Sequence, residues 1–298
     1  MSTAVSCVIP THQRPEFLEE ALRSVLTQTT PVSEIVVVSD VEDAPTADLC
    51  ERVGAGSSVP VRFVRNVDGR GASSSRNLGA AHAREELIAF LDDDDKWTPE
   101  YLESATAEFD QHRPDAVVTW IEMFRGSQTA PGLRIKPGLP AKAAAAENPG
   151  VTGSNILVSR RAFDRVGGFD EQLMVKNDGD FFFRFLLCGL SYAVCQEANV
   201  LQRKHESGQL TGRTLSRAAG LEAYLDKHRS NLTLADRRFI RLSASRIRYH
   251  AARSPIAKLR YLLLGLVNSS PKTMLSSVRQ RSTKDFWIVK GFDDNDQA

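Results

Sequence analysis

The chain predicts an α/β fold: a largely parallel sheet followed by a helical extension. Three observations carry this. Short β-rich apolar runs alternate with segments of helical spacing over the first hundred residues. The fourth such run ends in four consecutive carboxylates. After residue 214 only helical periodicity remains. With 298 residues and 42% hydrophobic content, the chain can bury a full α/β core plus an extension.

In order, Val5 to Pro10 reads as a strand, Thr11 to Pro15 as a polar loop, and Glu16 to Leu26 as a helix with apolar positions at helical spacing. Glu34 to Val38 is a second buried strand that ends at Ser39-Asp40, and Val61 to Val64 is a third. Gly69 and Gly71 precede a helix over Ser74 to Ala83, and Leu87 to Leu91 forms the fourth strand. Ligands of parallel α/β sheets gather at the carboxyl ends of the strands, where Thr11, Asp40, Arg76 and the acidic run all fall.

That run is Asp92-Asp93-Asp94-Asp95. Like charges so close repel, so a chain keeps them together when a cation offsets them. Hard oxygen donors at i and i+2 suit Mg²⁺ or Mn²⁺. The competing reading is a solvated acidic turn that caps the helix starting near Pro99.

Together, VSCVIPTHQRPEFLEEALRSVLTQT, EIVVVSD, GASSSRNLGAAHAREELIAFLDDDDKWTPEYLE and GGFDE resemble the family 2 nucleotide-sugar glycosyltransferases of the A-type fold, over roughly residues 4–210. The resemblance implies a mixed, mostly parallel Rossmann-like sheet with a nucleotide-binding half (1–100) and an acceptor-binding half (101–213). It also implies Mn²⁺ or Mg²⁺, and inversion at the anomeric carbon. Pro10, Thr11 and Arg14 then lie in the nucleotide-contacting loop, and Asp40 accepts a hydrogen bond from N3–H of uracil or thymine. Arg76 meets the nucleotide and its phosphates, for which a guanidinium fork is suited. Asp94 is the direct metal ligand, with Asp92 and Asp93 nearer the ribose and the metal's waters. Asp40 stands in Ser39-Asp40-Val41-Glu42, where the family often has two acids ahead of a glycine or serine.

The second half carries Gly153, Ser154 and Asn155 in a loop before the strand Ile156 to Val158, then Lys176-Asn177-Asp178-Gly179-Asp180 ahead of the apolar helix Phe181 to Leu187. By resemblance, Asp178 is the aspartate of the family's ED motif, the base that deprotonates the acceptor hydroxyl; Asn177 replaces the usual Glu. An inverting transfer is a direct displacement and needs such a base opposite the leaving diphosphate. Asp180 is read as an N-terminal charge that suits the helix dipole. His205 corresponds to a histidine near the diphosphate, which some relatives use as a metal ligand. His12 is a minor candidate for the donor pocket. Acceptor contacts are assigned to Gly153, Ser154, Asn155 and Trp120. Glu122, Met123 and Phe124 are further walls in a variable stretch 120–155, and the alanine-rich segment 141–146 is a mobile cover.

Cys7, Cys50, Cys188 and Cys195 have no metal-type spacing and read as reduced residues of a cytoplasmic protein. No apolar stretch approaches a bilayer span. The formal charge of +1 hides an asymmetry: residues 214–298 hold 16 Lys/Arg against 7 Asp/Glu, which leaves 22 against 30 in residues 1–213. The basic tail reads as helices over Leu215 to Lys227, Leu234 to Arg253 and Pro255 to Val267. They would form a bundle packed on the catalytic domain, a homodimer interface, or a surface that meets anionic lipid on the inner face of the membrane.

The expected activity is metal-dependent, non-processive transfer from a UDP- or dTDP-sugar to a hydroxyl of a glycan, lipid-linked glycan or small molecule, with no nucleic-acid partner. The QxxRW motif of processive relatives is absent. Two alternatives stand. A sugar-nucleotide nucleotidyltransferase would want a Gly/Lys-rich phosphate loop that Thr11 to Glu16 does not supply; a catalytically silent nucleotide-sugar binder would show no turnover.

Overall fold

The computed structural model describes residues 3–69, 71–204 and 214–269. The four N-terminal apolar runs are parallel strands β1 (Val5–Thr11), β2 (Glu34–Ser39), β3 (Val61–Arg65) and β4 (Leu87–Phe90), in spatial order β3-β2-β1-β4. Helices α1 (Pro15–Leu26), α2 (Ala44–Ala55) and α3 (Gly71–His82) connect them. Alternate residues serve opposite faces. Cys7, Ile9, Ile35 and Val37 join Leu18 and Leu22 of α1 in one core, while Val8, Val36 and Val38 join Ala80 of α3 in the other. Burial on both faces is why these strands read as unbroken apolar runs. At Gly79 a Cβ would sit 2.3 Å from Val8 Cγ1, so α3 lies directly on the sheet.

The second half adds β5 (Lys96–Trp97), α4 (Tyr101–His112), β6 (Ala116–Arg125), β7 (Gln128–Pro131), α5 (Ala141–Ala144), β8 (Ile156–Ser159), α6 (Arg160–Val166), α7 (Asn177–Leu187) and β9 (Tyr192–Arg203). Strand β8 runs antiparallel between β4 and β6, β9 runs parallel to β6, and β5 closes the far edge against β9. The sheet is mixed and mostly parallel, as the fold class predicts.

Two expectations for residues 120–155 are overturned. Residues 120–131 are strand and hairpin rather than variable loop, turned by Gly126 at φ 57. Segment 141–146 is no mobile cover. Ala144 and Ala145 are buried, the Tyr224 hydroxyl donates to the Ala145 carbonyl at 2.7 Å, and Lys176 Nζ donates to that of Ala146 at 2.7 Å.

The tail forms α8 (Leu215–Lys227), α9 (Leu234–Ala251) and α10 (Pro255–Asn268), close to the spans read from periodicity. Tyr224, Leu225 and Ile240 enter the same core as Phe181, Phe182 and Phe183. All four cysteines are free; Cys7, Cys50 and Cys195 are buried. His205 and the C-terminal GFDDNDQA segment lie outside the described residues.

Candidate active site

The site is built where β1, β2 and β4 end. Thr11, the last residue of β1, donates its hydroxyl to Asp93 Oδ2 at 2.8 Å. Gln13 then turns the chain in a left-handed conformation (φ 51), and its N–H donates to Asp43 Oδ2 at 3.1 Å. That turn presents Arg14, whose Nη1 lies 3.4 Å from Asp94 Oδ2 and 3.7 Å from Asp93 Oδ1. Pro10 is buried in β1 opposite Val38, beneath the loop. Asp40 follows β2 and meets His12 Nδ1 at 2.5 Å, so the two residues assigned to the donor pocket touch.

The four carboxylates divide by environment. Asp93 and Asp95 are buried, while Asp92 and Asp94 are partly open. Burial and the neighbouring Asp94 push the Asp93 carboxyl up to about 7, against the opposing effects of the Thr11 hydroxyl and Arg14. Asp95 is also raised well above its ordinary range, by burial and then by Asp94 and Asp92. It accepts from Ser154 Oγ at 2.6 Å and from the Arg203 N–H at 2.9 Å, so it joins β4, β8 and β9 rather than facing a ligand. The same arginine donates from Nε to the Asp94 carbonyl at 2.9 Å. Sequence reasoning missed Arg203, since a lone arginine at the end of β9 carries no local sign of the acidic row 108 residues away that it meets.

Asp92 is paired with Nη2 of Arg76. Arg76 is 4% exposed, and its guanidinium carbon lies 5.1 Å from the centroid of the Phe169 ring. Its Nε and Nη1 have no hydrogen-bond partner among the described residues. Buried donors of this kind are costly unless something accepts from them. Asn77, one residue on, holds Phe169 in place by donating to its carbonyl and accepting from its N–H, at 2.9 and 2.8 Å. Gly153 closes the other side, where a Cβ would lie 2.3 Å from Arg76 Nη2 and 2.7 Å from Asp92 Oδ1. Gly153→Ala should therefore leave the fold intact yet displace this pair. Overpacking costs about 1–3 kcal/mol, and donor binding should weaken roughly 10-fold. Titration calorimetry with the nucleotide checks it; unchanged affinity means the pair does not contact the donor.

Several acceptor assignments are corrected. Ser154 and Asn155 are fully buried, with no face open to a substrate. Ser154 Oγ accepts the Asp92 N–H at 3.1 Å besides serving Asp95. The Asn155 amide donates to the carbonyls of Thr119 and Gly150 and accepts from Thr152 N–H. Ser154 is spent on the acidic row and Asn155 on holding the loop against β6. Met123 is buried against Ala130, and Phe124 lies between Lys96 and Arg203, each cation 4.6 Å from its centroid. Neither lines a cleft. Trp120 is half-buried, donating Nε1–H to the Ile135 carbonyl at 3.0 Å, with the Arg134 guanidinium 4.8 Å from its ring.

Asp178 lies in the first turn of α7, which starts four residues earlier than its apolar run. Burial raises its carboxyl above the ordinary 3.8; the Gly179 N–H at 2.7 Å and the charge of Arg76 oppose this, and Asp92 adds to it. Asn177, in the place of the family's Glu, donates to Ser73 Oγ of α3 at 3.0 Å and accepts from the Asp178 N–H at 2.8 Å. It thus ties the first turn of α7 to the helix that carries Arg76. Lys176 precedes the helix in a left-handed conformation (φ 63), its ammonium 3.9 Å from the Tyr224 ring centroid and lowered to about 8 by burial.

Asp180 is more than a helix-terminal charge. It is 0% exposed and accepts from His228 Nε2 at 2.6 Å, Lys227 Nζ at 2.8 Å and Arg184 Nε at 2.8 Å. Burial alone would raise its carboxyl. The His228 hydrogen bond, Arg184 and Lys227 outweigh it and hold the group at about 2.

Among the described residues no three metal-ligating side chains converge. Asp92 and Asp94 supply hard carboxylate oxygens at the open side of the row, which fits Mg²⁺-like binding by one or two carboxylates plus substrate phosphates and waters.

Residues 6–167, more than half of the chain, match the family described as Glycosyl transferase family 2. The chain belongs to that family. It is therefore a glycosyltransferase. A Haemophilus influenzae protein described as an uncharacterized glycosyltransferase is 26% identical over 187 residues, which cover 61% of this chain and 62% of that protein. Among solved structures, the mannosyltransferase PcManGT from Pyrobaculum calidifontis, in complex with GDP-Man and Mn²⁺, superposes with a TM-score of 0.65 at 17% identity, covering 96% of this chain and 82% of its own. TarS 1–349 of S. aureus gives 0.64 at 17%, covering 89% and 79%. Both show the A-type glycosyltransferase fold in this family 2 chain.

Proposed function

We propose that this glycosyltransferase moves a sugar from a UDP- or dTDP-sugar onto an acceptor hydroxyl, one residue at a time and with inversion, and that it depends on Mn²⁺ or Mg²⁺. The observation that carries the reading is a juxtaposition. Asn177 bonds the first turn of α7 to α3, the helix of Arg76, so Asp178, a carboxylate suited to be a base, stands near the Arg76–Asp92 pair that with a cation is suited to hold a nucleoside diphosphate. TarS has been crystallised with UDP-GlcNAc and PcManGT with GDP-Man and Mn²⁺, which supports a nucleotide-sugar donor here.

Asp40 accepts N3–H of the pyrimidine on a floor of Pro10 and Thr11, and the unpartnered Arg76 donors face the diphosphate, with Arg14 at the rim. The acceptor hydroxyl, belonging to a glycan, a lipid-linked glycan or a small molecule, loses its proton to Asp178 as its oxygen bonds to the anomeric carbon and the bond from that carbon to the diphosphate breaks. Asp94 and Asp92 would hold the divalent cation, which when bound offsets charge on the leaving diphosphate. Gly153 leaves room for the Arg76–Asp92 pair, and Ser154 and Asn155 position it from behind. The free cysteines support a reducing, cytoplasmic setting.

A panel of UDP- and dTDP-sugars with Mn²⁺ tests the reaction: release of UDP or dTDP is expected. Pyrophosphate release would instead mark a nucleotidyltransferase, and binding without turnover a silent binder. Asp94→Ala should abolish metal-dependent donor binding with the fold intact, because a partly open strand-end carboxylate contributes little to the core. Unchanged UDP affinity in Mn²⁺ by calorimetry would overturn the metal assignment.

A further inference from the structure

Helix α10 has no buried residue, although most of its side chains are apolar. Its inner face, Ala257, Tyr261, Gly265 and Asn268, lies toward α9; a Cβ on Gly265 would sit 3.6 Å from Leu242 Cδ1, and the Arg248 guanidinium lies 6.0 Å from the Tyr261 centroid. Its outer face is Ile256, Leu259, Leu262, Leu263, Leu266 and Val267, exposed by 46% or more, with Ile256 at 82% and Val267 at 76%. With 3.6 residues per turn, these six occupy a continuous arc of about 140°. Lys258 borders one edge of that arc and Arg260 the other, both exposed.

The surroundings carry one sign. Residues 234–268 hold eight Lys/Arg against one acid, Asp236, and Asp236 is engaged in the capping box of α9 with Thr233. A continuous apolar face of this size marks an interaction site. Fourteen residues span only about 21 Å, short of the roughly 30 Å of bilayer hydrocarbon. No helix of the described residues is long and apolar enough to cross a membrane. A second copy docked on the arc would set its own Lys258 and Arg260 edges against these, with no carboxylate on either helix to answer them. An anionic bilayer surface answers both features at once.

We propose that α10 is an interfacial helix. It lies in the plane of an anionic membrane with its apolar arc at the headgroup–acyl boundary and Lys258, Arg260 and Arg253 at the lipid phosphates. The inference does not depend on the donor or acceptor assigned above.

The test is flotation of the full-length protein with phosphatidylcholine vesicles with and without phosphatidylglycerol. Binding is expected with phosphatidylglycerol, weakly without it, and reversibly with salt. Leu259→Asp with Leu263→Asp should abolish it. Lys258→Gln with Arg260→Gln should weaken it by about 5-fold for each cation removed. These side chains are exposed, so circular dichroism and donor hydrolysis should match wild type. Failure to bind phosphatidylglycerol vesicles would overturn the proposal, as would equal binding by wild type and the Leu259/Leu263 variant. So would a dimer in sedimentation that this variant dissociates, since a second copy would then cover the face.

Discussion

Asp178→Asn lowers kcat by roughly 10²–10⁴-fold while donor affinity stays near wild type. The amide keeps the side chain's shape and can still accept from the Gly179 N–H, so the first turn of α7 survives. What it loses is the capacity to take a proton from the acceptor. The pH profile supplies a second readout. A base works deprotonated, and burial places this carboxyl above 3.8, so wild-type kcat/KM should fall as pH drops through a value above the ordinary carboxylate range. The residual activity of the variant should lack that limb. Single-turnover rates with saturating donor and acceptor decide it. If Asp178→Asn turns over normally while Asp180→Asn is dead, the base is the other aspartate.

Asp180→Asn should instead strike stability, by about 3 kcal/mol, because the buried carboxylate is the shared acceptor of buried His228 and partly open Arg184, while Lys227 keeps Asp170 and solvent. The sign with pH follows from the depressed carboxyl. Held at about 2 in the fold against an ordinary 3.8, the group contributes stability that is fully present above the ordinary value and lost as pH falls toward 2. Urea unfolding of wild type and variant at neutral pH measures the loss. A midpoint equal to wild type would mean that the three contacts are replaceable by water. Turnover of the folded fraction should change little, since Asp180 touches neither the row nor the acceptor side of α7.

The donor half was legible because its physics is local. Runs such as Glu34 to Val38 are apolar on both faces, and the carboxylates of 92–95 announce themselves by charge density alone. The acceptor half was less so. Ser154 and Asn155 carry donors and acceptors that look like substrate contacts until β6 and Asp95 arrive from distant sequence to consume them. Met123 and Phe124 looked like cleft walls because the turn at Gly126, which makes them a hairpin, went unread. Asp180 shows the same limit: its partner His228 lies 48 residues away, and no spacing rule reaches that far. Asn177 is the converse. It departs from the family's acid, yet it finds Ser73 and keeps the joint between α7 and α3.

The Asp180 cluster also bears on how such an enzyme can be assembled over evolutionary time. The family match ends at residue 167, yet the helix that presents Asp178 is anchored through Asp180 to Lys227 and His228, well past it. A lineage that exchanged its C-terminal helices for others would therefore inherit a new anchor for the acceptor-side helix, while Thr11, Arg76 and the acidic row stayed as they were. The anchor of α7 can thus change independently of the donor-side strands, while the bond between Asn177 and Ser73 joins α7 to the helix that carries Arg76.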